Sequence, residues 1–316
     1  MNQRPRIVFM GTPDFAVGVL KELIHQGHHV VGVITAPDKP AGRGRKLRAS
    51  AVKEYAESQG LPLLQPVKLK DEEFLASLDQ WQADLQIVVA FRMLPEVVWR
   101  RPPLGTFNLH ASLLPQYRGA APINWAIING EEITGVTTFF IDQQIDTGAI
   151  IDSTEVNIGP DETAGSLHDK LMAVGAQLVV RTVDQIATGE VEARKQPESN
   201  DIQKAPKLNP ENTRIDWQAD PEQIDALIRG LNPYPVAWSL LHQDESSTKV
   251  KVYSGRFELR DHQLKPGSVI TEKKALGVAI KDGIYWLLEL QLAGKRRMEA
   301  SALLNGFTPM EGAFLE

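Results

Sequence analysis

The sequence of 316 residues contains no cysteine. This absence excludes disulfides, zinc ribbons and a thiol nucleophile, and it fits a protein of the cytoplasm. The sequence also lacks a run of about eighteen apolar residues, which a membrane-spanning helix requires. Its first residues, MNQRPRIVFMG, lack the longer apolar stretch and the cleavage site of a signal peptide. We therefore expect a cytoplasmic protein with no membrane partner.

Metal ligands and nucleotide-phosphate loops are also missing. The seven histidines show no ligand spacing with carboxylates, so we expect no metal site. The first strand-like segment ends in Gly11, but the residues that follow lack the glycine spacing of a dinucleotide fingerprint. The glycine-rich stretch at 41–45 is not followed by Gly-Lys-Ser or Gly-Lys-Thr. Enzymes that use NAD or hydrolyse nucleotides are therefore disfavoured.

Positive charge is scarce overall, because 34 Lys and Arg residues face 40 Asp and Glu residues and the formal net charge is −6. The bases are unevenly distributed. Residues 38–53 contain one acid and six bases, and a second basic cluster lies at 295–297. An acidic protein with two basic segments can still bind a polyanion locally, although charge alone favours two solvated loops.

The order of apolar segments predicts an α/β fold in the first part of the chain. A strand at 6–11, a helix at about 15–25 and a strand at 29–35 form a βαβ unit, which builds parallel sheets. DLQIVVAF at 84–91 is the most apolar strand and is expected at the centre of the sheet. TFNLH at 106–110 is the next strand. Together these segments predict a Rossmann-like domain with a mainly parallel sheet.

The second part of the chain has a different texture. Short strands follow one another at turn-punctuated spacing, and Asp282-Gly283 between two alternating runs indicates a hairpin. A small, OB-like β-barrel would close such strands without leaving edges. The predicted division is a catalytic domain at 1–190, a linker at 191–210 and a C-terminal β-barrel at 211–316.

The candidate catalytic residues lie at the end of the TFNLH strand. Asn108 and His110 are two residues apart, so their side chains point to the same face of the sheet. A carboxylate is needed beside the imidazole, and we expect Asp146, because a loop can carry it towards the cleft. Asp142, four residues earlier, ends a predicted strand at 134–142 and is the competing candidate.

An amide, an imidazole and a carboxylate without a side-chain nucleophile suit direct acyl transfer to an external amine. Asn108 and protonated His110 would stabilise the tetrahedral oxyanion, while Asp146 orients the imidazole and helps to remove the proton of the amine. An Asn-x-His pair alone is a weak signal, because a single histidine near an apolar strand is more often a structural residue.

The sequence around these residues resembles the folate-dependent formyltransferases, whose shared formyl donor is 10-formyltetrahydrofolate. Within that family it is most similar to the branch whose acceptor is initiator methionyl-tRNA, over essentially the full chain. The matching segments, in addition to Asn108, His110 and Asp146, are GTPDF at 11–15, PDKPAGRGRKL at 37–47, SLLPQYRGAAP at 112–122, RIDW at 214–217, NPYPVAW at 232–238 and LQLAGKRRM at 290–298.

The resemblance implies roles for individual residues. Asn108, His110 and Asp146 match the catalytic trio of the family, and 90–94 would line the pterin pocket. The chain departs from the usual pattern at Arg92, where a small residue is expected. The residues that match the folate-contacting loop are Ser112, Leu113, Leu114 and Pro115.

The resemblance also assigns the basic loop. Arg43, Arg45 and Lys46 would contact the tRNA acceptor arm, since guanidinium groups pair well with phosphate. One alternative is a sugar-nucleotide or small-amine formyltransferase with the same trio, which would not need an arginine-rich loop. A second alternative is an RNA-binding protein that has lost catalysis, against which the intact trio argues. We expect a monomer that uses a folate co-substrate.

Overall fold

The structure is a computed structural model that describes residues 4–41, 46–198 and 201–316. It divides the chain into two compact units that interleave along the sequence. The first unit contains 1–119, 133–157 and 168–204, and the second contains 120–132, 158–167 and 205–316. Two short segments, 120–132 and 158–167, belong to the second unit. The predicted domain boundaries, 1–190, 191–210 and 211–316, stay a prediction.

The first part of the chain alternates strands and helices. Its strands are β1 (Arg6–Gly11), β2 (His29–Ile34), β3 (Lys39–Ala41), β4 (Lys46–Arg48), β5 (Leu63–Leu64), β6 (Leu85–Val89), β7 (Thr106–His110), β8 (Arg118–Gly119), β9 (Ile133–Phe140), β10 (Ile150–Asn157) and β11 (Lys204–Ala205). Its helices are α1 (Asp14–His25), α2 (Ala51–Ser58), α3 (Glu72–Gln80), α4 (Glu96–Trp99), α5 (Pro122–Ile128) and α6 (Ala164–Thr188).

The main sheet of the first unit has the strand order β10-β9-β7-β6-β1-β2-β5. The five strands from β7 to β5 run parallel to one another. Strand β9 is antiparallel to β7 on one side and to β10 on the other. All five residues of β6 are buried, and β6 is the middle strand. The prediction of a Rossmann-like domain with its most apolar strand at the centre is confirmed.

The strand register decides which way the site residues face. Met10, Val88 and Asn108 are register partners across β1, β6 and β7, so they share one face of the sheet. Met10 and Val88 pack there in a core cluster with residues of α3 and α4. Leu109 faces the other way, against Gly175 of α6, where an added Cβ would lie 2.9 Å from the leucine Cδ2. Asn108 therefore projects from the face that α3 and α4 cover.

The second unit contains the remaining elements. They are α7 (Pro221–Gly230), β12 (Ala237–Gln243), β13 (Ser246–Leu259), β14 (Val269–Glu272), β15 (Ala275–Ile280), β16 (Gly283–Leu292), β17 (Met298–Glu299), α8 (Ala300–Leu303) and β18 (Phe314–Leu315). The strands form one antiparallel sheet in the order β14-β15-β16-β13-β12-β18, with β17 beside β16. A bridge between Ser268 and Phe314 joins its two ends. The predicted C-terminal β-barrel is confirmed.

The interior of this barrel is apolar around one buried tyrosine. Tyr285 is fully buried, and its hydroxyl donates to Asp225 Oδ1 at 3.2 Å. Burial, followed by the nearby charge of Asp225, raises the pKa of this phenol above its usual range. The predicted hairpin joins β15 to β16, with Lys281 and Asp282 as its loop residues and Asp282 in the left-handed region at φ 59°.

Candidate active site

His110 is the last residue of β7 and is 7% exposed. Its Nε2 lies 2.8 Å from the backbone oxygen of Tyr117. A carbonyl oxygen can only accept, so Nε2 carries a hydrogen in either protonation state. Nδ1 is therefore the nitrogen that can exchange a proton or turn towards a substrate.

A tight turn after β7 places the Tyr117 carbonyl beside the imidazole. Tyr117 is buried and has a left-handed backbone with φ 60°. Thr137 of β9, the register partner of His110, donates its hydroxyl to the Ser112 carbonyl at 2.7 Å and accepts from Leu114 N at 3.2 Å. The Ser112 hydroxyl donates to the Gln116 carbonyl at 2.6 Å. The turn is thus held by buried polar groups on both sides.

The loop between β9 and β10 brings a carboxylate to His110. Asp146 Oδ2 lies 3.9 Å from His110 Nδ1, which is an ion-pair distance but too long for a hydrogen bond. The same oxygen accepts from the backbone N–H of Gly119 at 3.0 Å. Asp146 itself has φ 57°, so this non-glycine residue occupies the left-handed region.

Asp142 has a different task in this loop. Its Oδ1 accepts from the backbone N–H of Gln144 at 3.0 Å and from the Thr147 hydroxyl at 2.8 Å. Among the ion pairs of residues 4–41, 46–198 and 201–316, the partner of His110 is Asp146. The geometry therefore brings Asp146 to the imidazole, while Asp142 shapes the loop that carries it.

Asn108 completes the group at the end of β7. Its side chain is half-buried and lies on the same side of the strand as His110. Within the described part of the chain, the Asn108 carboxamide has no hydrogen-bond partner, whereas the imidazole and both acids of the loop have one. A half-buried amide without a partner is well suited to donate to a bound substrate.

The segment after β6 differs from the expected pattern at Arg92, and the structure shows what this side chain does. Its guanidinium donates to the backbone oxygens of Pro66 and Val67, the latter at 2.9 Å. It also lies over the Phe91 ring, 5.6 Å from its centroid. Burial lowers the pKa of Arg92 below its usual range. Arg92 thus joins the end of β6 to the 66–67 loop, beside Met93, which is 69% exposed.

Of the predicted acceptor-binding residues, only Lys46 lies within the described part of the chain. Arg43 and Arg45 lie outside the described residues, and Lys46 begins β4 of the β3–β4 hairpin. The base of the hairpin is fixed by Asp38, which accepts from Lys53 Nζ at 2.7 Å and from Gln65 Nε2 at 2.8 Å. Through these hydrogen bonds the pKa of Asp38 is lowered and that of Lys53 is raised.

Sequence reasoning missed one buried side chain at the site. Gln196 lies in the segment predicted as a linker, yet it is 4% exposed and donates to the carbonyl of Asp146 at 3.0 Å. In the same segment Arg194 exchanges backbone hydrogen bonds with Ile150. A glutamine in a polar stretch without periodicity gave no signal of this position.

Among the residues that the structure describes, no group of three or more potential ligands could hold a metal ion. None of the helices in this part of the chain has the length and apolar character of a membrane span.

Comparisons with known proteins show the family of this chain. Residues 5–183 match the Formyl transferase family and 207–308 match the Formyl transferase, C-terminal domain. A methionyl-tRNA formyltransferase from Flavobacterium johnsoniae is 56% identical over 97% of both chains. The fold is similar to HypX from Aquifex aeolicus in complex with tetrahydrofolic acid, at 18% identity and a TM-score of 0.66, over 96% of this chain and 47% of HypX. It is also similar to WlaRD, a sugar 3N-formyl transferase, at 20% identity and a TM-score of 0.63, over 93% of this chain and 100% of WlaRD. The chain belongs to the formyl transferase family.

Proposed function

We propose that this chain transfers the formyl group of 10-formyltetrahydrofolate to the free amino group of methionyl-tRNA. The product, N-formylmethionyl-tRNA, serves the initiation of translation. The observation that carries the proposal is the grouping of Asn108, His110 and Asp146 at the end of β7, without a side-chain nucleophile beside them. The identity to methionyl-tRNA formyltransferases supports this acceptor over a sugar nucleotide or another small amine.

The three side chains suit the charge that develops in such a transfer. The bond between the amine nitrogen and the formyl carbon forms, and the bond from that carbon to N10 of the folate breaks. The oxyanion formed in between would accept from the Asn108 carboxamide and from the Nδ1–H of protonated His110. The proton that the amine loses is balanced by the proton that N10 gains on leaving.

The fixed tautomer of His110 gives Asp146 a defined role. Because Nε2–H is bound to the Tyr117 carbonyl, only Nδ1 can donate to the reacting oxygen. Asp146 Oδ2 lies 3.9 Å away on that side, close enough to stabilise an imidazolium but too far to hold its hydrogen. The carboxylate therefore orients and stabilises the charged ring and leaves its hydrogen available.

The folate would lie between the turn after β7 and the segment after β6. The Ser112 side chain is 0% exposed and its hydroxyl is already donated to Gln116, so it would not bind the folate directly. The turn would offer its backbone and the apolar side chains of Leu113, Leu114 and Pro115. At the other side, 90–94 would line the pterin pocket, with Arg92 turned towards the 66–67 loop.

For the acceptor we propose the basic residues Arg43, Arg45 and Lys46. The support is their charge, the place of Lys46 at the start of β4, the place of Arg43 and Arg45 just before it in the sequence, and the contact of Asp38 with Lys53 beside β3. With a tRNA acceptor, we propose that the enzyme acts in the cytoplasm, and we expect that it acts as a monomer. Sedimentation with and without tRNA would test that expectation.

One assay separates the proposed function from its rivals. The formyl group of 10-formyltetrahydrofolate is labelled and offered with methionyl-tRNA, uncharged tRNA, free methionine or a nucleotide-linked amino sugar. We expect label in methionyl-tRNA alone, and labelling that is slower by about a hundredfold or more when His110→Ala replaces the parent enzyme. Faster transfer to the amino sugar would favour the small-amine enzyme, and binding of tRNA without any transfer would indicate a non-catalytic RNA-binding protein.

A further inference from the structure

Gln196 makes a two-sided contact with the loop that carries Asp146. Its Nε2 donates to the backbone oxygen of Asp146 at 3.0 Å and to that of Gly148 at 2.8 Å. Both hydrogens of one amide group thus bind carbonyls on either side of Thr147. The side chain is almost fully buried, so water does not compete for these bonds.

Arg118 fixes the orientation of the Gln196 amide. Its Nε and Nη2 donate to Gln196 Oε1 at 3.0 and 2.6 Å. A guanidinium has only donors and a backbone carbonyl only accepts, so the oxygen and nitrogen of the amide cannot exchange places. Every polar atom of the Gln196 side chain is therefore engaged, Oε1 by the guanidinium of Arg118 and Nε2 by the Asp146 loop.

The loop needs such support because its backbone is unfavourable. Asp146 occupies the left-handed region, which a non-glycine residue rarely adopts without tertiary support. At Gly148 an added Cβ would lie 1.6 Å from the Phe140 carbonyl oxygen, so the chain turns there with no room to spare. Asp146 faces His110 only while this conformation is held.

We propose that Gln196, oriented by Arg118, is a positioning residue that holds the Asp146 carboxylate in its catalytic place. This inference rests on the proposed function, in which Asp146 acts on His110. Gln196 touches the backbone of the loop and acts through Asp146. Its loss should therefore slow the chemical step while the binding of both substrates is kept.

Gln196→Met keeps the length of the side chain and removes both donors and the acceptor. Gln196→Glu keeps the acceptor for Arg118 and replaces the donors by an oxygen that faces two carbonyls. Displacement of a catalytic group by about 1 Å can cost about a hundredfold in rate. We expect single-turnover rates that fall between about tenfold and a hundredfold in both variants. Gln143→Met, an exposed glutamine in the same loop, is the matched control and should keep the parent rate.

A double-mutant cycle with Asp146→Asn identifies the path of the effect. If Gln196 acts through Asp146, Gln196→Met should cause no further loss of rate in the Asp146→Asn background. Equal losses in both backgrounds would indicate general damage to the fold and would overturn the proposal. If Gln196→Met does not fold, the cycle is completed with Gln196→Glu, which retains the contact with Arg118.

The same measurements separate this proposal from the proposed function. A slow Asp146→Asn enzyme combined with parent-like Gln196→Met and Gln196→Glu enzymes would overturn the positioning role alone. A parent-like Asp146→Asn enzyme would remove Asp146 from the mechanism and the role of Gln196 with it. Donor binding followed by calorimetry, unchanged within about twofold in the Gln196 variants, supports positioning over a role in the folate pocket.

Discussion

The end of β7 and the β3–β4 hairpin lie in one compact unit but differ in burial: the polar groups of the former have buried or half-buried partners, and the latter has exposed side chains. At the end of β7 the imidazole, the carboxylate and the loop backbone each have a buried or half-buried partner. In the hairpin, Leu47 is 72% exposed and Arg48 is exposed, and the fixed point is the base at Asp38 and Lys53. Reaction chemistry needs fixed distances, whereas binding of a polyanion needs charge that reaches solvent.

This difference separates what substitutions should do. Changes at the end of β7 should alter the rate of the chemical step and leave substrate binding largely unchanged. Changes in the hairpin should alter binding and its dependence on salt. A substitution at the end of β7 that altered tRNA binding, or one in the hairpin that altered the rate of the chemical step, would show that the two regions are coupled.

The largest effect is expected at His110 and Asn108. His110→Ala and Asn108→Ala should each lower the single-turnover rate by about a hundredfold to a thousandfold, because one donor to the oxyanion is lost. Donor binding should remain within about threefold of the parent value. Rapid-quench kinetics with saturating methionyl-tRNA measures the rate, and calorimetry measures folate binding. A parent-like rate in either variant would exclude that side chain from oxyanion stabilisation.

Asp146→Asn should come next, with a loss of about tenfold to a hundredfold in the single-turnover rate. The amide is nearly isosteric, but it no longer stabilises positive charge 3.9 Å away on His110. Asp142→Asn is the matched control, because its carboxylate accepts from Gln144 and Thr147 within the loop. A larger loss in Asp142→Asn than in Asp146→Asn would reverse the assignment of the two acids.

Part of the geometry at the end of β7 can be predicted from the sequence, and the parts that depend on tertiary contacts cannot. Asn108 and His110 were recognised because strand alternation puts residues two apart on one face, and Asp146 because it lies in a turn between strands. The carbonyl of Tyr117 and the amide of Gln196 were missed because a backbone oxygen has no sequence signal and a glutamine has little. Their places follow from a left-handed turn and from contact across 50 residues.

Arg43→Ala, in the basic segment between the sequences of β3 and β4, should weaken the use of methionyl-tRNA and leave the folate site unchanged. Binding to phosphates releases counterions, so the logarithm of affinity falls with the logarithm of salt concentration. Loss of one contact should make this slope shallower by about one unit. Filter binding across a salt series measures the slope. Unaltered efficiency and slope would indicate that the loop is a solvated surface feature and would favour the small-amine acceptor.

The smallest effect is expected at the base of the hairpin. Asp38→Asn and Lys53→Met break the same contact, and each should raise the KM for methionyl-tRNA by about twofold to threefold without changing the rate of the chemical step. Because Lys53 is engaged by Asp38, we expect it to support the hairpin and not to contact phosphate. Lys70→Met, outside the hairpin, is the control for loss of one positive charge.

The pH dependence of this pair tests whether the contact between Asp38 and Lys53 stays intact around neutral pH. The pKa of Asp38 is lowered, so the stability that its ionised form contributes is complete above the unfolded pKa of about 3.9. This stability is lost as pH falls through the folded pKa. The pKa of Lys53 is raised, so the stability that its charged form contributes is complete below the unfolded pKa of about 10.4. This stability is lost as pH rises through the folded pKa. The ratio of KM between Lys53→Met and parent should therefore be constant from about pH 6 to about pH 9. A ratio that changes across this range would show that the contact between Asp38 and Lys53 is not what Lys53→Met removes. A salt slope that shifts by a full unit in Lys53→Met would make Lys53 a direct contact of the acceptor.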